Sequence, residues 1–408
     1  MLEPGVYAPN PHIAFAWLWI NGTPVTVDDF ASRPRHLESF SCTFEVETLG
    51  DFEFVLFDPE YDFIEELVTK SEGKCTFQFG YTTGGLKSPV YSGTIMEYTP
   101  EFLYDGIRIH LRGFFTALTL HKFTKTRAWT GKRVSDIVRE IAVNNGFTPI
   151  VDDTKKVEYH EDLQTTDQKD KTFQQHNTDW SFMVNTLQKQ AVREKDDVGG
   201  YIMYVDEEKK ELHFHPPKME EGPVKTFVWR DKMTEVIEFS PCYEGGLLAR
   251  LLAGGSTQAA ARDAVTGVTT DNLVHDKSLT VGKGAATDPQ RVQGENPASK
   301  TAGQPTARIV KDFHDSAMAE NEAKFWWWRE AWKSALTGQL VIVGDPRVMP
   351  YKKYEIQVAK KSGGLHWTSG LYYSHGIHHE IRGGGYTSTL ELWRTGGKTG
   401  ETSEASRT

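Results

Sequence analysis

Cysteine is scarce: Cys42, Cys75 and Cys242 are the only three in 408 residues, and they stand far apart. Such spacing excludes a disulfide framework and a C-x-x-C metal knuckle. All three are expected to be buried thiols, since none has a local partner that would lower its pKa toward a nucleophilic thiolate. Long apolar runs are also missing. None approaches the roughly 18 residues that a membrane helix needs, and the first residues lack the basic-then-apolar design of a secretory signal. Synthesis and folding in a cytoplasm, without membrane insertion, is the expectation. Nor is there an excess of positive charge. The formal net charge of -10 argues against a dedicated nucleic-acid binder, which must neutralise phosphates. The glycine groups Gly84-Gly85, Gly254-Gly255 and Gly383 to Gly385 precede no helix in a phosphate-cradling pattern and read as turns. With no G-x-S-x-G and no triad-like grouping, neither an enzyme nor a cofactor is indicated.

What the chain does have is length and half-buried faces. It can hold two or three domains of ordinary size, and 38% hydrophobic, 25% charged and 12% aromatic residues fit a folded globular protein. Asn21-Gly22 between two alternating runs predicts a hairpin with a type I′ turn. Phe40, Cys42, Phe44 and Val46 alternate with polar residues, as do Phe52, Phe54 and Leu56. Residues 11–120 therefore read as six or seven antiparallel strands in a small closed barrel or sandwich, with a short helix over 61–69.

The period then changes. Val134, Ile137, Val138, Ile141 and Ala142 recur at helical spacing, and Asn145-Gly146 supplies the stop. A second amphipathic helix over 179–191 is capped from residues 177–179, and runs at 201–205 and 211–215 make a hairpin. Strands are expected at 224–229, 233–240 and 246–252. Residues 254–304 turn to Gly, Ala, Ser, Thr and Asp, a long loop or excursion suited to mobility or interaction. A helix over 312–336 carries Trp326, Trp327, Trp328 and Trp332, too many rings for one stripe, so at least one should meet another domain or subunit. Residues 337–394 read as four antiparallel strands. The fold expected is mainly β with an α/β insertion, built as two similar antiparallel β-barrel domains at 1–122 and 218–396, a small α/β domain at 123–217, and a flexible tail at 397–408.

His375, His378 and His379 are the sharpest metal candidate, three imidazoles in five residues. Strand alternation places His375 and His379 on one face and His378 on the other, so the three converge only from a turn or bulge. A structural or interface role is favoured and no metal is assigned. His213 and His215 share a strand face but, before Pro216-Pro217, read as strand-end residues. Glu65, Glu66, Glu235 and Glu238 read as solvated acids.

The order of modules resembles the baseplate hub protein of contractile phage tails, the late-control D type, which is similar to the N-terminal half of type VI secretion spike proteins. The likeness rests on Asn177-Thr-Asp-Trp-Ser-Phe-Met183 with Leu187, on residues 130–146 ending in Asn-Gly, on Gly344-Asp-Pro-Arg-Val-Met-Pro350, and on the closing run from Tyr372 to Trp393. It spans residues 12–395. The tryptophan-rich helix departs from the family pattern, and the lack of a spike or lysozyme module after 395 implies a separate spike chain.

The resemblance implies a structural, non-enzymatic virion protein assembled in the host bacterial cytoplasm. It would form a homotrimer whose two tail-tube-like barrels per subunit make a pseudo-sixfold ring between the hexameric tail tube and the threefold central spike. Baseplate wedge and tape-measure proteins would be further partners. Trp326, Trp327, Trp328, Trp332, Tyr372, His375 and His378 are the interface candidates, with the 254–304 excursion and the Asn21-Gly22 hairpin. Alternative readings are a cell-wall or metal-dependent hydrolase using the His375 to His379 cluster, and a carbohydrate-binding β module with tryptophan platforms such as Trp327.

Overall fold

A computed structural model describes residues 13–26, 36–59, 72–82, 86–156, 171–196, 198–218, 221–229, 235–243, 268–274, 278–281, 290–293, 321, 325 and 336–394. Among the described residues, the first half holds seven strands: β1 (Ala14–Ile20), β2 (Thr23–Pro24), β3 (His36–Glu45), β4 (Asp51–Asp58), β5 (Lys74–Tyr81), β6 (Tyr91–Phe102) and β7 (Ile107–Phe115). Their ladder order is β3-β4-β7-β6-β5-β1-β2. Asn21 and Gly22 both take positive φ, 51° and 78°, the geometry that a type I′ turn demands. Alternation turns Phe40, Phe44, Phe52, Phe54, Phe77, Phe79 and Phe115 inward. Their rings meet at 4.6 Å for Phe52 with Phe77 and 4.7 Å for both Phe40 with Phe54 and Phe44 with Phe115, within the range that favours tilted aromatic pairs.

The insertion follows, with β8 (Thr124–Thr130), the helix Val134–Asn144, β9 (Thr148–Val151), β10 (Lys171–Thr178), a helical segment over residues 179–190, β11 (Ile202–Asp206) and β12 (Glu211–His215). The first helix stops as expected, with Asn145 at its C-terminal cap and Gly146 at φ 81°. The second is capped by Thr178, whose Oγ1 accepts from Ser181 N at 3.1 Å, and has one π turn over Met183–Leu187. β12 pairs antiparallel with β11 and parallel with β9. The insertion packs around its own cluster, which includes Trp129, Ile137, Phe182, Leu187 and Phe214.

The second half carries β13 (Lys225–Trp229), β14 (Val236–Tyr243), β15 (Val268–Val274), β16 (Ser278–Val281), β17 (Gln290–Gln293), β18 (Leu336–Val343), β19 (Lys353–Val358), β20 (Gly370–Arg382) and β21 (Gly385–Arg394). β20 is the joint of the molecule. Its first residues pair with β19, Tyr372 to Arg382 pair with β21 around a bulge, and Gly376 to Arg382 pair antiparallel with β3, from Gly376 opposite Glu45 to Arg382 opposite Ser39. The two halves thus share one sheet and one hydrophobic core.

The chain is mainly β with an α/β insertion, as its periodicities indicate. Its barrels, however, are not closed. The curl brings β1 back to the β20–β21 turn, where Ala14 N donates to Gly384 O at 3.4 Å, but the strand partners of β1 are β2 and β5. Three further expectations change. The 254–304 stretch contains three paired antiparallel strands, β15, β16 and β17, so it is not a structureless loop. Leu336, given to the helix, begins β18, which pairs with both β14 and β21. Cys242 is exposed on β14, while Cys42 and Cys75 are buried. The expected elements at 61–69 and 246–252, and the 312–336 helix apart from helical Asn321 and Phe325, lie outside the described residues.

Candidate interface and side-chain clusters

The histidine trio sits on β20, where a β-bulge between Ser374 and Gly376 inserts one extra residue, His375, against β21. A bulge breaks the two-residue period and re-aims the residue it carries. Simple alternation pairs His375 with His379, but the bulge separates them. His375 lies outward, stacked on Trp393 at 4.4 Å, with Nδ1 3.8 Å from Glu391 Oε2. With Ser240, Cys242, Gly338, Gln339 and Glu391 it lines a shallow groove on the sheet's outer face. His378 is half-buried beside Thr43, Nδ1 to Oγ1 3.1 Å.

His379 is fully buried, with Nδ1 2.9 Å from both Ser388 Oγ and Tyr386 OH. Burial, reinforced by His378, pushes its imidazole down to about 3. The three rings therefore point to different environments, and the hydrolase reading built on their convergence loses its geometric basis. Tyr372 is buried too, its hydroxyl donating to Thr368 O at 2.5 Å and its ring edge-on to Phe239. Trp326, Trp327, Trp328 and Trp332 lie outside the described residues; Phe325, beside them, is buried.

Around the trio, the loop after β18 is fixed by Asp345. Its carboxylate accepts from Arg347 N and Nε at 3.0 and 2.9 Å and from Lys225 Nζ at 3.2 Å. Burial acts to raise that carboxyl, but the bonds from Arg347 and Lys225 outweigh it and hold it at about 2. Gly344, one residue earlier, donates its N–H to Tyr386 O at 2.8 Å and accepts the Tyr81 hydroxyl at 2.9 Å. The G-x-P loop thus pins the last hairpin to the first half.

Two carboxylates that sequence reasoning did not single out as sites hold the insertion. Asp179, buried at the start of the second helical segment, accepts from Lys125, from Arg127 at 2.7 Å, and from Asn145 and Gln174 at 3.1 Å each. Burial would raise it, yet these donors keep it below the ordinary carboxylate range. Glu207, at the β11–β12 turn, accepts from Thr116 N at 3.1 Å, from Thr116 Oγ1 and from Ala117 N at 3.0 Å, which latches the insertion to the end of β7. Burial pushes this carboxyl up to about 7. The sequence signal at Asp179 was its place at a helix start; Glu207 sits in Asp206-Glu-Glu-Lys-Lys210 and reads as a solvated turn. Tyr204 stacks on Tyr351 at 3.5 Å, which ties the insertion to the second half.

No protein-family model and no curated protein matches the sequence. Among solved structures, the chain is similar to the 43 kDa tail protein of prophage MuSo2 from Shewanella oneidensis, with a TM-score of 0.56 at 11% identity over 93% of this chain and 98% of that one. It is similar to the tail protein from Neisseria meningitidis MC58, with a TM-score of 0.55 at 12% identity over 93% of this chain and 96% of that one. At such identities it is the fold that is shared, and this chain therefore has, over nearly its whole length, the fold of those phage tail proteins.

Proposed function

We propose that the chain is the structural baseplate hub of a phage tail. The observation that carries this reading is the likeness to two tail proteins over 93% of the chain and at least 96% of theirs, so that the insertion and both β halves are included. Two β halves per chain give three copies six near-equivalent surfaces. A homotrimeric pseudo-sixfold ring of that kind joins a hexameric tail tube to a threefold central spike.

The protein acts in the virion by burial and edge pairing, without catalysis. It is assembled in the host bacterial cytoplasm and contacts tube, spike, wedge and tape-measure proteins. Docking is assigned to Trp326, Trp327, Trp328 and Trp332, to the 254–304 excursion, to the Asn21-Gly22 hairpin, and to His375 and His378 on the outer face of β20. Tyr372 belongs to the interior of the subunit. The edge of β14, where Ile237 is half exposed, offers a further pairing line. Light scattering of the purified chain at micromolar concentration tests the assembly: a mass of three chains is expected, and a monomer would overturn the ring.

A further inference from the structure

We propose that Asp206, Glu211 and His213 form a binding site for a divalent transition-metal ion of the zinc type at the tip of the β11–β12 hairpin. The register sets Asp206 opposite Glu211 and Tyr204 opposite His213, so strand alternation brings all three donors to one face. Their ligand atoms lie within 4.8 Å of one another. Glu211 Oε2 is 3.4 Å from His213 Nε2. That is the separation of two ligands each about 2.1 Å from one tetrahedral ion.

The direction of the neighbouring hydrogen bonds supplies an independent argument. His215 Nδ1 lies 2.7 Å from Pro216 O, and a carbonyl only accepts, so His215 carries its proton on Nδ1. In the neutral ring its Nε2 is then an acceptor, and the partner 3.3 Å away, His213 Nδ1, must be the donor. The other nitrogen of neutral His213, Nε2, is left with a bare lone pair turned toward the Glu211 carboxylate. Two electron pairs facing each other repel unless a cation lies between them. A histidine that donates one ring N–H to an acceptor while presenting the other nitrogen is the arrangement found around bound metals.

The surroundings agree. His213 is stacked flat on Tyr204, 4.5 Å apart at 7°, which fixes the ring plane. Asp206 Oδ1 is occupied by the N–H groups of Glu208 and Lys209, at 3.1 Å each, which leaves Oδ2 for an ion. Lys209 Nζ is 3.5 Å from that oxygen, but its side chain is 61% exposed and it compensates Asp206 alone. Like charges directly opposite on a hairpin oppose pairing, and a divalent ion would neutralise both. In the other such grouping, Glu45, His375 and Glu391, the imidazole is stacked on Trp393 and its Nδ1 is 3.8 Å from Glu391.

Calorimetry of the chelator-treated full chain with zinc chloride, paired with the visible spectrum of the cobalt(II) form, tests the site. One equivalent with a four-coordinate cobalt spectrum is expected, with affinity at least tenfold weaker in Glu211→Gln and in Asp206→Asn. The asparagine keeps an oxygen for both turn bonds, so Asp206→Asn remains informative if Glu211→Gln misfolds, and far-UV circular dichroism checks both. No saturable uptake up to about 1 mM zinc overturns the proposal. So does uptake unchanged in both variants, or uptake abolished by His375→Ala.

Discussion

His379 shows what one buried residue does to the pH response of the whole fold. In the folded chain its ring stays neutral down to about pH 3, because burial penalises the charged form. In the unfolded chain it takes a proton near its ordinary value of about 6.5. Below that pH the unfolded state binds one more proton than the folded state, so this contribution to stability is complete above about 6.5 and is lost as pH falls. Linkage sets the slope at about 1.4 kcal/mol per pH unit for one proton. His379→Gln, whose amide can still meet Ser388 and Tyr386, is expected to flatten the decline of urea stability between pH 6.5 and 4 by that one-proton share. An unchanged slope would show that the ring is hydrated in the native state.

At the scale of elements, the loop from Gly344 to Pro350 is the most sensitive to a small change. A Cβ at Gly344 would meet the Tyr386 ring at 2.0–2.3 Å. The ring has no room to retreat, since Tyr81, Phe79 and His379 pack around it at centroid distances of 5.6, 6.1 and 5.9 Å. Gly344→Ala should therefore cost about 3 kcal/mol, the upper part of the range for overpacking. In a Gly344→Ala/Tyr386→Ala double variant the two penalties should sum to less than their separate values, because the clash is gone. Urea titration of the four proteins measures this, and strict additivity would place the strain elsewhere. These elements also mark what the sequence discloses. Phe52, Phe54 and Leu56 alternate cleanly and Asn21-Gly22 names its turn, since each signal is local. The bulge at His375 is invisible to a two-residue period, and it alone decides which histidines share a face. Glu207 was equally hidden, its partners Thr116 and Ala117 lying about ninety residues earlier in the chain. Carboxylates gain such roles through burial, which a charged turn does not announce.

On the scale of the whole molecule, the pairing of β3 with β20 is the feature that local patterns leave out. It joins Ser39 to Arg382 and Glu45 to Gly376, and it carries Ile377, His379, Ile381 and Tyr386 into the core formed by Phe40, Phe44, Phe77 and Phe79. The last hairpin thus fills the first half's interior and covers the edge of β3, which would otherwise present unpaired backbone groups. Two consequences follow. Residues 1–122 expressed alone lose both the edge partner and the aromatic lid, and should give no cooperative urea transition and an increased tendency to associate. In the full chain, the first half and the final hairpin should unfold together, so near-UV circular dichroism and hydrogen exchange of amides in β4 and β21 should report one midpoint. A fragment 1–122 that unfolds cooperatively with a native-like near-UV spectrum would mean that the shared core is dispensable. The two halves would then be independently folded units rather than one body knitted through β20.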